Sequence, residues 1–275
     1  MCIRDSKQGG RLAKSVETAD DWPTYRHDAR RTGAVECEVP AQVSTQWRVS
    51  LKGKLTSPVL SAGRLYVAVK DEHTLYALAA KDGRQLWNYT AGGRIDSPPT
   101  IYGGLVLFGS ADGCVYCLRA SDGGLVWRFR AAPCERQIVA FGQLESPWRV
   151  HGSILVKDGV AYCTAGRSTH IDGGIRVFGL DPATGRVIHE TCLDTWARTR
   201  IDAENKPFIP GYHIEGALSD VLVSEGDYIY MGQYKLDRKL VEQKAPYVMP
   251  DPCLLYTSDA ADELDGVDLG CRRII

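Results

Sequence analysis

The 275-residue sequence predicts an all-β propeller of four-stranded antiparallel blades, and three observations predict it. Trp47, Trp87 and Trp127 recur 40 residues apart, each in a like setting. Segment 57–91 superposes without a gap on 97–131, aligning Ser57-Pro58 with Ser97-Pro98, Gly63 with Gly103, Tyr76 with Tyr116, Asp82-Gly83 with Asp122-Gly123 and Trp87 with Trp127. Within each unit, apolar, β-branched and aromatic residues come in short runs bounded by glycine and aspartate, without helical periodicity. Such a period means repeat architecture, in which one unit cannot bury its own apolar faces and stacks on the next.

The first complete unit enters at Val59–Leu60 and turns at Ala62-Gly63. Leu65–Val69 is its second strand, Asp71–His73 a turn, Thr74–Ala79 the third strand, Asp82-Gly83 a turn and Gln85–Tyr89 the last strand. The next unit repeats this order, with a strand at Cys114–Arg119. A third keeps Ser153, Gly159, Tyr162, Phe178, Leu180 and Thr184-Gly185 in the corresponding places, although His189 stands where the tryptophan is due. A fourth opens at Ser219, turns at Glu225-Gly226-Asp227, runs through the strand Tyr228–Gln233 and loses the pattern after Leu240. Insertions span Pro133–Gly152 and Thr191–Glu215.

Both termini read as foreign. Cys253–Ser258 is what TGT CTC TTA TAC ACA TCT encodes, resembling a transposon end used in sequencing adapters. Asp259–Glu263 continues that adapter, Val267–Ile275 resembles the primer that follows it, and Met1–Ser6 resembles the same end read in the opposite sense. Residues 1–6 and 253–275 are therefore excluded from fold reasoning. The expected organisation is a lead-in and first partial blade at 7–46, blades at 47–245 with insertions at 133–152 and 191–215, and a truncated continuation at 246–252. Four to five blades, partial ones included, leave the ring open, and a piece of this kind expressed alone is expected to associate or aggregate through its exposed edges.

Excluding the terminal segments leaves 30 basic and 28 acidic residues, so no nucleic-acid or other polyelectrolyte partner is implied. No run approaches the ~18 apolar residues of a membrane-spanning helix. Six cysteines remain, at 37, 114, 117, 134, 163 and 192, and the Cys114/Cys117 pair lies in a strand where residues three apart face opposite ways. They read as small buried hydrophobes rather than a zinc or redox pair.

Tyr76, Leu78, Gly83 and Trp87, repeated as Tyr116, Leu118, Gly123 and Trp127, resemble the PQQ-type (pyrroloquinoline quinone) propeller repeat. Asp21-Trp22-Pro23-Thr24-Tyr25-Arg26-His27-Asp28, with Arg31-Thr32-Gly33, is similar to the lead-in segment of the same family. The resemblance covers about residues 21–240 and implies that Trp47, Trp87 and Trp127 pack against the next blade as structural girdles. It also implies a periplasmic or cell-envelope setting in a bacterium. For activity it implies two things at once, because the propeller serves quinone-dependent dehydrogenases and non-enzymatic relatives such as the outer-membrane assembly factor BamB. A dehydrogenase would use a general-base aspartate, calcium on carboxylate and amide oxygens, a stacking tryptophan and usually adjacent cysteines. The chain has no Cys-Cys pair, and Asn88 and Asn205 are its only asparagines.

The histidines lack H-E-x-x-H spacing, and neither a G-x-S-x-G elbow nor a phosphate loop occurs. His151, Cys163, His170 and Asp172 are motif-free residues of one region, read as satisfied loop and core groups before any convergent site. The insertions are the stronger functional expectation, since a regular scaffold delivers function through loops that leave the repeat. The first carries Glu135, Arg136, Glu145, Trp148, Arg149 and His151; the second carries Trp196, Arg198, Arg200, Lys206, Phe208 and His213. Arginine interleaved with aromatics suits peptides or anionic small molecules, while Trp148 and Trp196 equally suit plugging of blade junctions. The sequence thus points to a non-catalytic interaction or ligand-binding platform without a catalytic or metal site of its own. The alternatives are a fragment of a PQQ- and calcium-dependent alcohol or sugar dehydrogenase, and an accessory propeller of a larger enzyme.

Overall fold

The computed structural model describes residues 21–37, 41–195 and 217–243. Two compact units partition the chain at 242/243, and of the second only Gln243 is described. The terminal segments 1–6 and 253–275, the continuation 246–252 and residues 196–216 of the second insertion lie outside the described residues.

Among the described residues, four blade sheets and one two-stranded hairpin form in chain order. Blade I comprises β1 (Val59–Ser61), β2 (Arg64–Val69), β3 (Thr74–Ala79) and β4 (Gln85–Thr90). Blade II comprises β5 (Thr100–Tyr102), β6 (Leu105–Gly109), β7 (Cys114–Arg119) and β8 (Leu125–Arg130). A separate hairpin, β9 (Ile138–Ala140) with β10 (Gln143–Glu145), precedes blade III, made of β11 (Val150–Lys157), β12 (Val160–Ala165), β13 (Ile175–Leu180) and β14 (Val187–Leu193). Blade IV shows β15 (Val223–Glu225), β16 (Tyr228–Met231) and β17 (Tyr234–Asp237). Every sheet is antiparallel with neighbours in chain order, and the described residues supply three four-stranded blades and one of three strands in an open ring. This is the all-β propeller of four-stranded blades that the sequence predicts.

Two differences are local. The strand expected at 228–233 stops at Met231, because Gly232 adopts φ +55° and turns the chain into β17. Residues 41–49, which carry Trp47, form no strand among the described residues.

Blades II and III bury both faces because each has a neighbour on either side. In β7, Val115 and Cys117 join the cluster shared with blade III, while Cys114, Tyr116 and Leu118 join the cluster shared with blade I. The two cysteines therefore do lie on opposite faces, and burial pushes the Cys114 thiol up to about 12. A third cluster, including Leu155, Tyr162, Ile229 and Leu236, joins blade III to blade IV.

The joints repeat one geometry. The Trp47, Trp87 and Trp127 indoles donate to the carbonyls of Ala80, Ala120 and Pro182 of the next blade, at 2.8, 3.1 and 2.8 Å. Three residues on, Gly83, Gly123 and Gly185 lie flat on those same rings, and a Cβ on any of them would sit 2.6 Å from ring carbon. All three glycines have positive φ, between +69° and +74°.

Antiparallel order sorts the turns into two ends. Turns β1–β2 and β3–β4, with their equivalents, share a lower end; turns β2–β3 and the links between blades share an upper end. The lead-in crosses the inner strands: Trp22 pairs with Leu60, Ile101 N–H donates to Pro23 O, Ser224 N–H donates to Ala29 O, and Arg31 Nη2 donates to Ser153 O. One segment thus touches all four blades.

Candidate functional site

The first insertion builds the upper rim between blades I and III. Phe141 and Gly142, at φ +52° and +75°, form the two-residue turn of the β9–β10 hairpin. Positive φ at both positions suits the right-handed twist of the flanking strands, and a bulky residue at the first is uncommon. At the hairpin's side, Gln143 Oε1 meets His73 Nε2 at 2.8 Å, and Gln143 Nε2 donates to Asp71 O, both in the β2–β3 turn of blade I. At the other side, Arg136 Nη1 donates to Asp172 Oδ1 at 3.0 Å and Trp148 Nε1 to Asp172 O at 2.8 Å, in the β12–β13 turn of blade III. Arg167 Nη2 takes the remaining Asp172 oxygen. The insertion is fastened at both ends.

Between these anchors lies a charged cluster. Ala111, in the β6–β7 turn, donates to Arg94 O and accepts from Ser146 N–H, which brings Arg94 beside Glu145. Glu145, only 1% exposed, has Oε1 3.2 Å from Arg94 Nε and Oε2 3.2 Å from Arg149 Nη1. The first contact is an ion pair by distance without an aligned hydrogen bond, and Arg94 is bonded in line to Asp96 instead, Nη2 to Oδ2 at 3.2 Å. Phe141 covers the group, its ring centroid 4.0 Å from the Arg94 guanidinium carbon and 5.6 Å from that of Arg149. Arg149 Nε donates to His151 Nε2, which fixes the neutral tautomer with the proton on Nδ1. Burial first, then the Arg149 charge, pull the His151 pKa down to about 4.

Of the sequence-predicted residues, Arg136, Trp148, Arg149 and His151 come together on this rim, Trp148 as part of the core between blades II and III. Cys163 does not join them: it sits in that same core with its thiol pushed up to about 12. Trp196, Arg198 and Arg200 lie outside the described residues. Sequence reasoning missed Arg94, Asp96 and Phe141. A signal for the last existed in Val139-Ala140-Phe141-Gly142-Gln143-Leu144, a short alternating run with glycine in the second turn position.

The rim's donor set does not fit calcium beside a quinone. Both oxygens of Glu145 face arginines, Asp96 is paired to Arg94, and Asn88 lies in β4 beside Trp87 rather than on the rim. Among the described residues, no three His, Cys, Asp or Glu side chains converge in a metal-holding group.

The repeat and the girdle geometry agree with a family comparison, in which the model described as outer membrane protein assembly factor BamB matches residues 32–236. The chain belongs to the BamB family of PQQ-like β-propellers. Similar solved structures include a quinohemoprotein alcohol dehydrogenase from Pseudomonas putida HK5, 16% identical with TM-score 0.53 over 66% of this chain and 29% of that one. Another is the quinohemoprotein alcohol dehydrogenase from Comamonas testosteroni, 19% identical with TM-score 0.51 over 66% of this chain and 28% of that one. BamB from Moraxella catarrhalis is 18% identical with TM-score 0.47, over 72% of this chain and 51% of that one. The chain therefore spans from under a third to about half the length of these proteins. No curated protein matches it. Among the described residues no helix is long and apolar enough to cross a membrane.

Proposed function

We propose that this member of the BamB family is a non-catalytic propeller segment that presents its upper rim to protein partners in the bacterial cell envelope. The observation that carries the reading is the β9–β10 hairpin, which gathers Val139, Phe141 and Leu144, 77%, 71% and 60% exposed, on one two-stranded unit where Leu144 pairs with Val139 across the strands. The hairpin is two strands wide, so its edges also offer unpaired backbone groups to an extended segment. Beneath it the charged groups are matched to one another, Arg94 to Asp96 and Glu145 to Arg149, which suits a rigid pedestal better than a proton-transfer or cofactor site. The family's assembly-factor description supports protein partners and an envelope location.

A photo-crosslinking residue at Val139, in the full-length gene of the source organism, is expected to yield discrete protein adducts that Leu144→Asp removes. Titration with pyrroloquinoline quinone and calcium is expected to leave absorbance and dye reduction unchanged. Saturable absorbance changes with dye reduction would establish the quinone-dependent dehydrogenase instead.

A further inference from the structure

The β9–β10 hairpin is held to the rim through one charge. Among residues 138–145 only Glu145 carries an ionisable side chain, and it is buried at the hairpin's root. Its Oε2 accepts from Arg149 Nη1 at 3.2 Å, while Oε1 lies beside Arg94 Nε without an aligned bond. Arg149 is therefore the carboxylate's one aligned donor among the described residues. Three groups in turn hold Arg149: that carboxylate, the Phe141 ring 5.6 Å from its guanidinium carbon, and His151 Nε2. Two of these belong to the hairpin and the third to β11 of blade III.

The third contact depends on a proton. An arginine nitrogen can only donate, so His151 Nε2 must be bare to accept from Arg149 Nε. A proton on Nε2 would set donor against donor and cation against cation in a largely buried place, where both conflicts are costly. The neighbouring groups do not relieve it. Arg94 adds a further positive charge, Asp96 is bonded to Arg94, and Thr164, opposite His151 on β12, is bonded to Ser219 and does not titrate. Arg149 must then move, which strands Glu145 beside the unaligned Arg94 contact and takes one of two cations from under Phe141. His73, the other histidine at the hairpin, behaves differently: its Nε2 faces Gln143 Oε1, an acceptor that a protonated ring also satisfies, because Gln143 Nε2 is turned to Asp71 O.

We propose that His151 is an acid-sensitive catch for the rim: its neutral ring fixes Arg149 and so keeps the β9–β10 hairpin seated, and its protonation releases the hairpin root. This adds a regulation to the rim read above as the docking surface. With the ring at about 4 when seated and at its ordinary 6.5 when released, protons favour the released form increasingly as pH falls between those values. The gain amounts to about twentyfold in the released fraction from pH 7 to pH 5.

Amide hydrogen exchange tests the catch without any partner, so its failure leaves the docking reading standing. The Ser146 N–H, which donates to Ala111 O beside the hairpin root, reports release, and the Ala120 N–H, bonded to Gly104 O at the lower end, is the reference. After correction for the intrinsic rate at each pH, Ser146 opening is expected to rise about twentyfold from pH 7 to pH 5. It should do so without dependence on sub-denaturing urea, as a local event does, whereas Ala120 exchange should follow urea at both pH values. His151→Gln keeps an acceptor for Arg149 and takes no proton, so its Ser146 opening is expected to change by less than about threefold over the same range. A full rise that survives His151→Gln assigns the acid response to Asp96, Glu145 or His73 and overturns the catch. Ser146 exchange that follows urea as Ala120 does makes the opening global and overturns it equally.

Discussion

Three blade joints share one clamp, and the joint between blades III and IV replaces it. At the first three, an indole N–H reaches a carbonyl at the start of the β3–β4-type turn, and a glycine three residues on lies against the ring. At the fourth, position 189 is histidine, and the equivalent carbonyl, Arg238 O, receives the Tyr162 hydroxyl at 2.8 Å instead. The turn after β17 is also one residue shorter: Asp237 N–H bonds to Val241 O, where Ala79 N–H bonds to Arg84 O. No glycine occurs in that turn. The acceptor carbonyl is therefore the constant of the joint, while tryptophan and glycine come and go together. The reason is steric: glycine is needed only where a ring must lie on the turn.

The largest test of this pairing is Trp87→Ala. It empties a well-buried joint and strands the Ala120 carbonyl, so a loss of about 3–5 kcal/mol is expected from the denaturant midpoint. Trp47→Ala should lose less, because Trp47 is only half-buried. A midpoint near the unsubstituted value for Trp87→Ala would mean the sheets cohere without their indoles.

Next in size is a glycine contrast. Gly123→Ala puts a methyl 2.6 Å from the Trp87 ring at φ +74°, whereas Gly63→Ala, at φ +69°, meets open space. The backbone strain is shared and costs about 1–2 kcal/mol. The ring collision adds to Gly123→Ala alone, for a total of roughly 3 kcal/mol by thermal or chemical unfolding. Equal losses at both glycines would detach the glycine from the clamp and leave it a turn residue only.

The clamp's partners were legible because they recur: forty-residue phase places Trp87 and Gly123 in equivalent settings, and a ring and a positive-φ glycine are both visible as residue types. Tyr162 taking over at the fourth joint was not legible. Its neighbours in sequence match the earlier blades, and only the loss of tryptophan at 189 marks a change. The rim was partly legible, since departure from the period located residues 133–152 and their arginines. Arg94 and Asp96 escaped because they lie in a link of ordinary length and acquire their role only through the Ala111 turn. Arg31 was read as part of the lead-in resemblance, but two of its hydrogen bonds, to Ser153 O and Leu222 O, depend on blades III and IV, more than 120 residues away in sequence.

Tyr162→Phe sharpens the fourth joint at smaller scale. It removes one hydrogen bond and leaves the apolar packing of the blade III–IV cluster in place, so about 1 kcal/mol is expected. The loss should concentrate in blade IV, seen as faster amide exchange at Ile229 and Leu236 than at Val115. Uniform acceleration across all blades would show that the joint is no local substitute but part of a single cooperative unit.

The smallest effect at neutral pH separates the two ends of the blades by charge. The lower clamps are built from indoles, carbonyls and glycines and do not titrate, whereas the upper rim holds His151 against Arg149, Arg94 and Asp96. Its folded pKa, about 4, lies below the ordinary histidine value of 6.5. Between those values the unfolded chain binds the proton and the folded chain does not, so stability falls as pH drops through this window and is unaffected above it. His151→Gln keeps an acceptor for Arg149 Nε and has no proton to gain. It should match the unsubstituted chain at pH 7 and lose less stability between pH 6.5 and 4 in parallel urea titrations, while Trp87→Ala should lower both curves by the same amount at every pH. Acid limbs that coincide for His151→Gln and the unsubstituted chain would place the pH sensitivity in other groups and remove the histidine from the rim's electrostatics.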